Sequence, residues 1–199
     1  MLDKKSDISA EIGSRICHDL ISPIGAISNG IELLELSGAA QSPEMALIAD
    51  SVRAANAKVR FLRVAFGDAS GNATVGASEI TDILAHNYSD NRLRIDWHIN
   101  AALSRQDLKL CFLTLMCLEN TLPYGGTIAV MDGGEGWQFD AIGDQIKTDG
   151  IVDLAAQNFC TSNGPASVQY KLLQQMIVDF GYQMAFTLNT QSLSVLIKP

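Results

Sequence analysis

His18 and Asp19 stand side by side in this 199-residue chain, with Pro23 five residues beyond the histidine. An imidazole has an ordinary pKa of about 6.5, so near neutral pH one ring nitrogen is free to act as a nucleophile. A carboxylate on the other nitrogen fixes the tautomer and raises that nucleophilicity, and Asp19 is the adjacent candidate. Arg15, one helical turn earlier, is placed to offset charge on a phosphoryl group. On a helix, Ser14, His18, Ser22, Gly25 and Asn29 share one face at 4-4-3-4 spacing. That face is small and polar, which leaves room for another protein to approach the imidazole. The chemistry suited to these residue types is phosphoryl transfer through a histidine.

Two long helices are expected to hold this group. Ile8, Ile12, Ile16, Leu20, Ile24, Ile27, Ile31 and Leu34 recur every three or four residues, with Gly38 as a stop. Ser42-Pro43-Glu44 then reads as an N-cap followed by proline at the first helical position. Met45, Ile48, Val52, Ala55, Val59, Leu62 and Phe66 follow as a heptad seam. Ile24, Ile27, Ile31, Met45, Ile48, Val52, Val59 and Leu62 are the expected core of this hairpin. Two helices make half of a four-helix bundle, and a twofold homodimer is expected to complete it. Packing of the hairpin on the chain's own second half is the alternative. Arg53 and Arg60, seven residues apart on the second helix, are candidates to meet an acidic partner surface.

Beyond residue 67 the pattern changes. Gly67 to Gly76 is small, polar and glycine-rich, so 1–67 reads as a helical hairpin, 68–76 as a linker and 77–199 as a second domain. Helices are expected over 78–88, 104–122, 151–159 and 166–180, and strands over 92–99, 127–131, 137–142, 186–188 and 193–197. The whole is α+β, the second domain having helices over a mostly antiparallel sheet.

Composition bounds the function. Apolar residues make up 47% and charged residues 18%, enough for a core. The net charge of −8 divides into −1 over residues 1–66 and −7 over 67–199. An acidic back half argues against nucleic acid as partner. The densest apolar run, 110–118, is nine residues with Thr114 inside it, far short of a membrane span. Met1 to Arg15 is polar and gives no signal peptide, and Cys17, Cys111, Cys117 and Cys160 show no CxxC spacing. Free thiols, a cytoplasmic location and no membrane partner are expected.

Residues 16–34, ICHDLISPIGAISNGIELL, resemble the phosphoacceptor hairpin of two-component histidine kinases and, more narrowly, the alphaproteobacterial ChpT-type histidine phosphotransferases. The Cys-His-Asp start and the Ser-Asn-Gly-Ile-Glu-Leu-Leu continuation carry the narrower match. The resemblance implies a dimeric four-helix bundle and a second domain like the kinase ATPase domain, an α/β sandwich without a working nucleotide site. It implies that His18 is the phosphoacceptor and Asp19 its acidic neighbour. It also implies relay of phosphoryl groups from the receiver of a hybrid histidine kinase to response-regulator receivers, with Mg2+ supplied by the receiver and no intrinsic cofactor or metal. An ATP-dependent kinase and a non-catalytic binding module are the alternatives.

The residues themselves speak against a kinase. Asn120 leads straight into Leu122-Pro123-Tyr124-Gly125-Gly126, and Asn163-Gly164-Pro165 offers one glycine where a phosphate-cradling helix start wants several. Asp132-Gly133-Gly134-Glu135-Gly136 fits an adenine-binding Asp-x-Gly-x-Gly pattern but reads better as a hairpin turn. His86 and His98 have no metal-ligand spacing around them, and Trp97 and Trp137 are expected to pack the sheet.

Overall fold

The computed structural model of the chain describes residues 16, 19, 20, 23, 26, 27, 30, 33, 43–67, 69, 73–89, 92–148, 150, 151, 154 and 167–199. The described positions from 16 to 33 are all helical, Pro23 included. Their partner is α1 (Pro43–Phe66), which starts on a proline, carries Glu44 in its first turn and Arg63 in its last, and has no glycine inside it. Gly30 sets how closely the two helices approach: a Cβ there would lie 2.4 Å from Ile48 Cγ1.

Helix α1 has two apolar faces, and only one is covered. Ser51, Ala57, Phe61, Leu62 and Ala65 are buried, whereas Met45, Val52 and Val59 remain 43%, 41% and 45% exposed. Leu62 is therefore core as expected, with Ile27 and Ile48 half-buried. Met45, Val52 and Val59 are not core of a single chain, because the covered face points elsewhere. Ile24 and Ile31 lie outside the described residues.

The covered face of α1 packs on the second half of the chain. There follow β1 (Thr74–Val75), α2 (Ala77–Asn87), β2 (Leu93–Trp97), β3 (Leu103–Ser104), α3 (Arg105–Thr121), β4 (Gly126–Asp132), β5 (Trp137–Ile142), α4 (Val168–Phe180), β6 (Gln183–Leu188) and β7 (Ser192–Lys198). Residues 151 and 154 are helical, and the rest of the helix expected over 151–159 lies outside the described residues. The main sheet runs β2-β4-β5-β7-β6, with β2–β4 parallel and the other pairs antiparallel. Thr74 and Val75, expected within the linker, instead pair with Ser104 and Leu103 as a small second sheet.

One core joins these layers. Strand β7 alternates half-buried and buried residues along its length, as a sheet with one covered face requires. Val130, Phe139 and Val195 stand in register across that covered face and are all buried. Above it lies α3, whose residues Leu110 to Leu118 are all buried, the mark of a helix enclosed on every side. Phe61 of α1 stacks on Phe112 of α3, with ring centroids 4.7 Å apart and planes 13° apart, and meets Tyr88 edge-on at 5.7 Å. Ser104 caps α3 as its position suggests, accepting from Asp107 N at 3.1 Å. Gly181 closes α4 in the left-handed conformation that glycine adopts without steric cost. Among the described residues no helix is long and apolar enough to cross a membrane.

Candidate functional site

The cleft beside Asp19 is made by three elements. The amino-terminal helix contributes Asp19, Pro23 and Ala26. Asp50, Ser51, Ala54 and Lys58 line it from α1, on the i, i+4 face that 50, 54 and 58 share. The end of α2 supplies His86 and Asn87, followed by Ser89. The cleft encloses about 420 Å³. Asp19 is half-buried there. His18, Ser14, Arg15, Ser22, Gly25 and Asn29 lie outside the described residues, so of the expected amino-terminal group only Asp19 is located.

Charge straps hold the walls of the cleft together. Arg60 of α1 donates to Asp82 of α2 at 2.8 Å. His86 sits on the same carboxylate, with Nδ1 2.7 Å from the Asp82 carbonyl oxygen and 3.2 Å from its Oδ1. A ring nitrogen that close to a carbonyl carries its proton, so Nδ1 donates. Arg53 pairs with Asp50 on its own helix. Both arginines expected to meet a partner are thus engaged within the chain, while remaining largely exposed. Of these pairs, Arg60–Asp82 alone joins α1 to α2.

Asn87 is the unusual member of the group. Its Nδ2 and Oδ1 are both buried, and neither has a hydrogen-bond partner among the described residues. Sequence reasoning does not find it: an asparagine at the end of a short amphipathic helix carries no distinguishing signal. Lys58 escapes for the same reason, since one lysine on an exposed helix is ordinary. His86 was legible only as a histidine without a ligand set. Among the described residues no group of three or more His, Cys, Asp or Glu side chains is placed to hold a metal ion.

At the other side of the second half, the Asp-x-Gly-x-Gly stretch is the turn between β4 and β5. Asp132 Oδ1 accepts from Gly134 N at 2.8 Å, Gly133 N donates to Gly136 O at 2.8 Å, and Gly134 has φ 76°. The aspartate thus closes its own turn. Asn120 is exposed on the last turn of α3. Next to it Glu119 is tied to Arg92 at 2.9 Å, and Arg92 also donates to the Leu122 carbonyl at 3.2 Å.

A helical pair carrying Asp19, set against an α+β unit, is the frame in which the chain's relatives are to be read. Residues 77–192 match the family model of the histidine phosphotransferase C-terminal domain, and the chain belongs to that family. Among curated proteins it is similar to the protein phosphotransferase ChpT of Brucella abortus (strain 2308), with 37% identity over 126 residues. That alignment takes in 62% of this chain and spans 60% of the relative's length. Among solved structures it is similar to a bacterial phosphotransferase at a TM-score of 0.80 and 26% identity, over 100% of this chain and 98% of that one. The Acinetobacter baumannii histidine kinase AdeS aligns far more loosely, at a TM-score of 0.44 and 13% identity over 91% of this chain and 96% of the kinase chain.

Proposed function

We propose that this protein is a histidine phosphotransferase that relays a phosphoryl group between receiver-domain aspartates through His18. In the forward step a lone pair on the His18 ring nitrogen attacks the phosphorus of a receiver's aspartyl phosphate. The N–P bond forms as the acyl P–O bond breaks, and its electron pair returns to the receiver's carboxylate. Asp19 stabilises the positive charge that develops on the ring, and Arg15 offsets charge on the phosphoryl oxygens. Ser14, Ser22, Gly25 and Asn29 keep the surface around the imidazole low enough for in-line approach. Microscopic reversal onto a second receiver aspartate completes the relay. Transfer of this kind is chiefly positioning and charge stabilisation, and the Mg2+ it needs belongs to the receiver.

The observation that carries this reading is the likeness to a solved bacterial phosphotransferase over the whole chain, hairpin and second domain together. Two further features support it. Asp132, the best candidate for an adenine-binding aspartate, is consumed by its own turn, which favours a second domain that handles no ATP. The exposed residues Met45, Val52 and Val59 repeat every seven positions along α1, which favours a homodimer whose four helices pack along that seam. The chain is incubated with a phosphorylated receiver domain and, separately, with labelled ATP, alongside His18→Ala. The expected result is acid-labile, alkali-stable label from the receiver alone, absent in the variant. Label from ATP, or none from any cognate receiver, overturns the reading.

A further inference from the structure

A buried carboxamide with neither donor nor acceptor paired is rare in a folded protein, and one beside a functional carboxylate calls for a reason. Asn87 is such a group, and it lines the same cleft as Asp19. Solvent does not reach either polar atom of its amide. The conformation described here thus leaves an interaction unmade, and a second arrangement in which the amide is paired would recover it. The cleft contains the complementary groups. A carboxamide offers N–H donors on one atom and an acceptor on the other. Across the cleft Asp19 presents a carboxylate, already engaged in another interaction but with further acceptor capacity, and Lys58 presents a donor ammonium with no hydrogen bond or ion pair among the described residues.

We propose that Asn87 is a positioning residue for phosphoryl transfer. In the transfer-competent arrangement its Nδ2 donates to the Asp19 carboxylate, and its Oδ1 accepts from Lys58 Nζ. The inference rests on the reading of His18 as phosphoacceptor. Closing this triangle ties the end of α2 to the helix that carries His18-Asp19. It also fixes the carboxylate that orients the imidazole. The amide is therefore kept unpaired at rest and paired in transfer, so one side chain opposes stability and supports rate.

That opposition is the test. Asn87→Leu removes the unpaired amide at nearly constant volume, and Lys58→Met removes the donor to Oδ1 from a side chain that is not core. Single-turnover transfer from a phosphorylated receiver is measured over a range of receiver concentrations, with melting temperatures recorded beside it. Asn87→Leu is expected to raise the melting temperature and slow the saturated transfer rate roughly tenfold, leaving the half-saturating receiver concentration unchanged. Lys58→Met is expected to slow transfer in the same way, by a smaller factor and with no change in melting temperature. An Asn87→Leu rate within twofold of the wild type makes the amide a packing defect and overturns the inference. A lowered melting temperature does the same, since it shows that the amide is paired at rest. A wild-type chain that accepts no phosphoryl group instead defeats the phosphotransferase reading itself, and this inference with it.

Discussion

Tyr182 shows how a single hydroxyl ties distant parts of the chain and sets a pH limit. It donates to Asp107 Oδ1 at 2.9 Å and accepts from Gln106 Nε2 at 3.1 Å, in the first turn of α3. Burial pushes its pKa up to about 12, and the Asp107 carboxylate beside it pushes in the same direction. In the unfolded chain the phenol titrates near 10. Between those values the unfolded state has lost a proton that the folded state retains, so stability is full below pH 10 and declines as pH rises to 12. Tyr182→Phe is expected to cost about 1 kcal/mol at pH 7 through the lost hydrogen bonds. Its deficit should then shrink as pH climbs from 10 to 12, because the phenol that titrates is gone. Urea denaturation at stepped pH checks this, and a deficit that stays constant across the window refutes it. Ser104, which bonds Asp107 as well, was readable as a cap from its place before an apolar helix. The pairing of Tyr182 with Asp107 was not, since no local pattern links residues 75 apart.

At the scale of elements, α1 serves two neighbours with two faces. Its heptad spacing was plain in the sequence, but spacing identifies an apolar stripe without saying what covers it. Phe61 belongs to no position of that seam, and yet it is 1% exposed, stacked on Phe112 and edge-on to Tyr88. The helices, the turn at Asp132 and most strand positions were legible because each is dictated by residues near one another. The parallel pairing of β2 with β4 and the two-residue pairing of β1 with β3 were not, because both are settled by contacts far apart in sequence. The same limit hid Asn87 and Lys58, whose significance exists only where three elements meet. Phe61→Ala is expected to destabilise the protein by about 3–5 kcal/mol, the usual range for emptying a buried aromatic site. Because one core runs from α1 into the sheet, far-UV and near-UV signals should still lose structure in one shared transition. Two separated transitions would show that hairpin and second half unfold independently.

For the molecule as a whole, the uncovered face of α1 and the distribution of charge are the two features that bear on the proposed homodimer. Met45, Val52 and Val59 each leave over two-fifths of their surface in water, and covering that remainder yields about 1 kcal/mol per side chain. Two chains of net charge −8 repel one another, but residues 1–66 carry only −1 of that total. In the proposed homodimer, a seam along α1 would bring together the nearly neutral segments rather than the acidic ones. Added salt should strengthen association modestly by screening what repulsion remains. Val52→Glu places a like charge on each side of that seam, directly opposite its copy in a twofold arrangement. It should convert the dimer to a monomer in sedimentation equilibrium. The monomer's helical signal should persist, since Val52 is already exposed in one chain and its replacement opens no cavity. That separates it from Phe61→Ala, which should lower stability in monomer and dimer alike. A Val52→Glu protein that still sediments at twice the chain mass would place the interface elsewhere, and the exposed heptad would then need another partner.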